Sequence, residues 1–159
     1  MGDNFLLAGS KNGEIMEIEK DGPIRLVVQG HGPGEMWAMA THPLEKIVAT
    51  YSDDGSVRIW DMTSFKMTHA KNIEKPGRAL AYSPDGTVLA LGQRDGIFMI
   101  LDAATLDVVK EFHHRKQNIS DIKFDPFGRY VAVGSHENCV DLYSIQKEKR
   151  IGICRGPSR

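Results

Sequence analysis

The chain repeats itself every 41 or 42 residues, and few architectures are compatible with that period. Gly13-Glu14-Ile15-Met16-Glu17-Ile18, Gly55-Ser56-Val57-Arg58-Ile59-Trp60-Asp61 and Gly96-Ile97-Phe98-Met99-Ile100-Leu101-Asp102 each place a glycine before an apolar run. Asn138-Cys139-Val140-Asp141-Leu142-Tyr143-Ser144 keeps the same register, so the four anchors stand 42, 41 and 42 residues apart. A second marker follows the same beat: His42-Pro43, Ser83-Pro84-Asp85-Gly86 and Asp125-Pro126-Phe127-Gly128, with prolines 41 and 42 apart. Two unrelated markers with one period identify a repeated structural unit.

Within each period the apolar runs are short and are separated by turns bearing Pro or Gly, which predicts strands. The expected set is Met36–Ala40, Ile47–Thr50, Val57–Trp60 and Lys66–His69, then Ala79–Tyr82, Val88–Leu91, Ile97–Leu101 and Val108–Phe112. Ile119–Phe124, Tyr130–Val133, Val140–Tyr143 and Arg150–Cys154 complete it. No segment carries the 3.6-residue apolar stripe of a long helix. Four short strands per repeat of this length predict an all-β chain, a partial β-propeller of about 3.75 four-stranded blades. The expected divisions are an incomplete blade at 1–29, blades at 30–71, 72–113 and 114–155, and the start of a further connection at 156–159.

Charge and composition narrow the function. Twenty Lys+Arg against 21 Asp+Glu leave a net charge of −1, which argues against a strongly basic nucleic-acid or membrane-surface binder. No apolar run approaches the roughly 20 residues of a membrane-spanning helix. Met1-Gly2-Asp3-Asn4 does not open a signal peptide, and the two cysteines, Cys139 and Cys154, are expected to be reduced in an intracellular protein.

At this point the residues resemble a family. Gly30-His31, followed by Thr50-Tyr51-Ser52-Asp53-Asp54-Gly55-Ser56-Val57-Arg58-Ile59-Trp60-Asp61, is similar to a complete WD repeat. A narrower likeness rests on Gly34-Glu35-Met36-Trp37-Ala38-Met39-Ala40-Thr41-His42-Pro43, Phe112-His113-His114-Arg115-Lys116, Ala132-Val133-Gly134-Ser135-His136-Glu137-Asn138 and Arg150-Ile151-Gly152-Ile153-Cys154. This combination resembles the echinoderm microtubule-associated protein-like family over nearly the whole chain. The resemblance implies a WD-repeat propeller, tubulin or other cytoskeletal partners, and a place in the cytoplasm on the cytoskeleton, including the ciliary axoneme.

The same resemblance marks His31, Thr50, Asp54 and Trp60 as the WD family's side-chain tetrad. Its expected chemistry is a relay in which carboxylate accepts from imidazole, imidazole from hydroxyl, and hydroxyl from indole N–H. Such a network ties loop to strand and is not a catalytic triad. His114 falls in register with His31, but Asn72 takes that place in the middle period, and Leu101 and Tyr143 replace the tryptophan. No phosphate loop, nucleophile elbow or paired-carboxylate motif occurs. His113 and His114 have no third ligand at suitable spacing, so neither a metal nor a cofactor is expected. The Asp residues of the turns, Asp53, Asp54, Asp85, Asp95 and Asp125, are expected to bond their own backbone.

One face of a propeller gathers the blade-to-blade connections and the turns between second and third strands. That face would carry Lys11, Lys71, Lys75, Arg94, Arg115 and Lys116, a basic surface suited to an acidic partner such as tubulin through salt-sensitive contacts. The expected function is a non-catalytic scaffold. The competing readings are a WD adaptor of a ubiquitin-ligase or ciliary transport complex, and a propeller enzyme with a central metal. Trp37, Met39, Leu80 and Ile122 on the first strands argue against the enzyme, because an axial metal needs inward carboxylates and histidines. Fewer than four full blades cannot close a ring, so the remaining blades are expected from a longer chain or an assembly.

Overall fold

The computed structural model describes residues 5–9, 15–19, 22–28, 30–32 and 34–156. Every regular element among them is a β-strand, and every pairing is antiparallel between neighbours in sequence. β1 (Phe5–Gly9), β2 (Ile15–Glu19) and β3 (Ile24–Val28) form a three-stranded sheet. The next sheet holds β4 (Met36–Thr41), β5 (Ile47–Ser52), β6 (Ser56–Asp61) and β7 (Lys66–Asn72). The third holds β8 (Gly77–Tyr82), β9 (Val88–Gln93), β10 (Phe98–Asp102) and β11 (Val108–Phe112), and the fourth β12 (Ile119–Phe124), β13 (Tyr130–Ser135), β14 (Cys139–Ser144) and β15 (Lys149–Arg155). The chain is thus an all-β partial propeller with a period of about 42 residues.

Turn chemistry sets the strand ends. In the turn after β8, Gly86 N–H donates to the Ser83 carbonyl at 2.9 Å, while the Asp85 carboxylate accepts from Thr87 N–H at 3.1 Å. Asp125 repeats the device after β12, accepting from Tyr130 N–H at 2.7 Å. A side-chain acceptor that closes its own turn stops the strand and reverses it.

Among the described residues the core forms two apolar slabs between sheets. Ala49, Tyr51, Val57 and Ile59 of the second sheet meet Leu89, Leu91, Met99 and Leu101 of the third. On the other side of that third sheet, Ala90, Phe98, Ile100 and Phe112 meet Ile119, Val131, Val133 and Tyr143 of the fourth. A sheet covered on both faces needs apolar residues at consecutive positions. This is why Phe98-Met99-Ile100-Leu101 shows no alternation and is buried throughout. Each fully buried Leu, Ile or Phe contributes roughly 1.5–3 kcal/mol.

The two slabs interlock through glycines. A side chain on Gly77 of β8 would overlap the Tyr51 ring, and one on Gly92 of β9 would overlap Ile119. Tyr51 and Gly92 hold the same place in their repeats, as do Gly77 and Ile119. The large and small partners are therefore exchanged between the two interfaces, and the filled volume is conserved.

Candidate functional site

His31 sits in the loop before β4, and Thr50, Asp54 and Trp60 come from β5, the β5–β6 turn and β6. Trp60 Nε1 donates to Thr50 Oγ1 at 2.7 Å, and Thr50 Oγ1 lies 2.7 Å from His31 Nε2. His31 Nδ1 lies 3.1 Å from Asp54 Oδ2. The indole is only a donor, so the hydroxyl accepts from it and gives its own proton to Nε2. The carboxylate is only an acceptor, which leaves the imidazole proton on Nδ1. The chain of donors runs in one direction, from Trp60 to Asp54.

Asp54 is the hub. Its carboxylate accepts from the backbone N–H groups of Gly32 at 2.7 Å and Ser56 at 2.8 Å, and from the Ser56 hydroxyl at 2.8 Å. Arg58 reaches it at 3.3 Å and also donates to the Gly30 carbonyl. Partial burial works to raise the Asp54 pKa, but the hydrogen bonds from Ser56, Gly32 and His31 outweigh it and hold the carboxyl well below the usual carboxylate range. Burial lowers the His31 pKa against the opposing pull of Asp54. The His31 and Asp54 side chains are 8% and 12% exposed, so the group is largely enclosed.

The corresponding positions elsewhere are built differently. Asp95, in the register of Asp54, accepts from Ile97 N–H at 3.4 Å, and Leu91 and Leu101 occupy the Thr and Trp places inside the core. In the fourth sheet His114 Nδ1 lies 3.2 Å from the Tyr143 hydroxyl, bypassing Val133. Glu137, in the register of Asp54, accepts from Lys116 N–H at 2.7 Å and from Arg115 at 2.9 Å.

The expected basic positions differ in their partners. Arg115 is 13% exposed and lies in a fork on the fully buried Asp141, which also receives Arg150 at 3.2 Å. Its charge is internal, a result of the Asp141 partner 26 residues away that the repeat pattern did not reveal. Lys71 pairs with Asp107 at 2.7 Å across to the third sheet, and Lys75 stands 3.9 Å from Asp95. Arg94 and Lys116 are exposed. Lys11 lies outside the described residues.

Sequence reasoning missed a second polar group. Trp37 Nε1 donates to Asp53 Oδ2 at 3.0 Å, and Arg78 NH1 donates to Asp53 Oδ1 at 2.6 Å. The Arg78 guanidinium stacks 4.6 Å above the Trp37 ring. Burial pushes the Asp53 carboxyl up, but Arg78, Trp37 and the Glu35 N–H together bring it below its ordinary value. Asp53 thus bonds residues of two other strands rather than its own turn. The signal was present, since Trp37 and Arg78 stand one period apart. Leu80 and Ile122, expected towards the axis, are 9% and 1% exposed and belong to the inter-sheet core. Among the described residues no group of three His, Cys, Asp or Glu is placed to hold a metal ion.

The family match and the sequence relatives agree on one family. The family described as "Echinoderm microtubule-associated protein second beta-propeller" matches residues 36–159. The chain is 33% identical over 161 residues to Echinoderm microtubule-associated protein-like 4 of Xenopus tropicalis, which aligns with 99% of this chain and 17% of that protein. It is 35% identical over 157 residues to Echinoderm microtubule-associated protein-like 2 of Homo sapiens, covering 96% of this chain and 24% of that one. The chain therefore spans about a quarter or less of these relatives. A solved structure titled "Structure of U3-55K" superposes with a TM-score of 0.76 at 19% identity, over 82% of this chain and 42% of the other, a likeness of fold.

Proposed function

Since the chain belongs to the echinoderm microtubule-associated protein family, we propose that it is a non-catalytic scaffold segment of a microtubule-associated propeller. The observation that carries this reading is the family match itself, joined to a fold whose polar networks are closed on themselves. The Trp60–Thr50–His31–Asp54 and Arg115–Asp141 groups fix loops to strands. Microtubule contact is assigned to the exposed cations of the blade connections, Lys75 and Lys116, facing an acidic protein surface.

The scaffold is completed by further blades. Gly134, Val140, Leu142 and Cys154 of the fourth sheet repeat, 42 residues on, the positions of Gly92, Phe98, Ile100 and Phe112. The third sheet's set is buried by the fourth sheet, whereas Val140 is 37% exposed and Cys154 is exposed. This supports a following blade seated on that face.

Co-sedimentation of the full-length protein with microtubules tests the assignment. Lys75→Glu with Lys116→Glu should weaken binding, most visibly at low salt, and Lys147→Glu with Lys149→Glu, at the other end of the strands, should not. Equal losses from both pairs would replace a defined contact by general charge attraction, and wild-type protein left in the supernatant would overturn the reading.

A further inference from the structure

The three inner strands break register at the same place. The irregularity falls between Met36 and Ala38 in β4, between Gly77 and Ala79 in β8, and between Ile119 and Asp121 in β12. The residues thrown out of the ladder are Trp37, Arg78 and Ser120, 41 and 42 positions apart. A bulge residue loses its ladder partner and has its side chain re-aimed. All three line a single open depression of about 590 Å³. Asp53, Arg94 and His136, one from each turn between second and third strands, line it with them.

The two halves of this mouth differ in charge. At one end Arg78 spends its charge on Asp53 and covers one face of Trp37, whose ring edge is held by the same carboxylate. The indole becomes a fixed plate, yet Trp37 remains 52% exposed. At the other end Arg94 takes the turn position of Asp53, and Ser120 takes that of Arg78. The exposed Arg94 side chain has no ion pair among the described residues. Of the two carboxylates lining the depression, Asp53 is paired with Arg78 and Glu35 is bonded through its carbonyl to Asp53 N–H, while Ser120, Asn118 and His136 bring no negative charge. An unpaired guanidinium sharing one depression with a half-exposed indole matches a carboxylate flanked by apolar surface.

We propose that this mouth docks an extended peptide bearing an acidic side chain. The carboxylate pairs with the Arg94 fork, the Ser120 hydroxyl and Asn118 amide donate to it, and the flanking residue lies on Trp37. The site follows from the chemistry of the bulges and does not depend on microtubule binding.

The test is a fluorescence-anisotropy titration of the full-length protein with fluorescein-labelled octaglutamate, with labelled octaglutamine as the neutral probe. Octaglutamate is expected to bind at least about tenfold more tightly than octaglutamine, as one charge-assisted pair implies. Arg94→Gln should erase that difference, Arg94→Lys should keep part of it, and Trp37→Ala should weaken both probes. Lys147→Gln, at the opposite end of the strands, should leave binding within about twofold. Each variant's urea midpoint is measured first, so that a folding defect is separated from a lost contact. Octaglutamate affinity unchanged by Arg94→Gln, or reduced equally by Lys147→Gln, overturns the proposal.

Discussion

Trp60 and His31 meet on one hydroxyl: the indole donates to Thr50 Oγ1 at 2.7 Å and the imidazole Nε2 accepts from it at the same distance. Removing either end leaves the other bonded to a group that has lost its orientation. Trp60→Phe keeps most of the apolar contact and should cost about 1–3 kcal/mol through the unsatisfied oxygen. In a double-mutant cycle with His31→Ala measured by urea unfolding, the losses should be sub-additive by at least about 0.5 kcal/mol. Strict additivity would show that the four residues do not act together.

Asp141 is fully buried and is held by Arg115 and Arg150. Arg115→Met keeps much of the aliphatic volume but leaves a buried carboxylate with one partner, so it should destabilise by about 3–5 kcal/mol. The double variant Arg115→Met with Asp141→Leu should recover most of that loss. Chemical denaturation of the three variants measures both numbers.

Stability should also fall on mild acidification. The pKa of His31 is lowered by burial, and that of His114 by burial and then by Arg150, from an ordinary value of 6.5. The unfolded chain therefore takes up these protons first as pH drops. The histidine contribution is complete above about pH 6.5 and is lost as pH falls towards the lower folded values. Asp54 is also lowered, but its contribution is lost only below the carboxylate range and does not act here. Urea midpoints at pH 7.5 and 5.5 should differ in the wild type. The difference should shrink in His31→Gln with His114→Gln, even though that variant is less stable at both.

Gly92→Ala should be destabilising by about 1–3 kcal/mol, because the new methyl overlaps Ile119 across the sheet interface. Pairing it with Ile119→Ala, which removes the overlapping Cγ1 and Cγ2, should cost less in thermal unfolding than the sum of the two single losses. If Gly92→Ala were neutral, the tight contact between the third and fourth sheets would not persist in solution.

The period located the strands because it is carried by local chemistry. Val57–Trp60 was legible from alternation and extends to Ser56–Asp61, and Val88–Leu91 extends to Val88–Gln93, since ladder pairing recruits polar residues at strand ends. The run at Ile97 begins one residue later because Ile97 belongs to the turn, its N–H facing Asp95. What could not be read was partnership across the chain. Arg115 looks like a loop cation until Asp141 is brought beneath it, and Arg58 looks like an outward strand residue until it reaches the Gly30 carbonyl. The bulges at Trp37, Arg78 and Ser120 were hidden for another reason: an extra residue leaves the repeat length unchanged when every repeat contains it.

The interface formed by Gly92 and Ile119 has a direction. Its socket lies on the second strand of one sheet and its plug on the first strand of the next, so the leading and trailing sides of a blade are different surfaces. Two copies brought together by their trailing sides would set socket against socket, with Gly134 opposite Gly134 and nothing to fill either. Union through these sides is therefore head-to-tail, a heterologous contact that propagates around an axis and ends only where the arc closes on itself. The array is polar in the way a filament is polar.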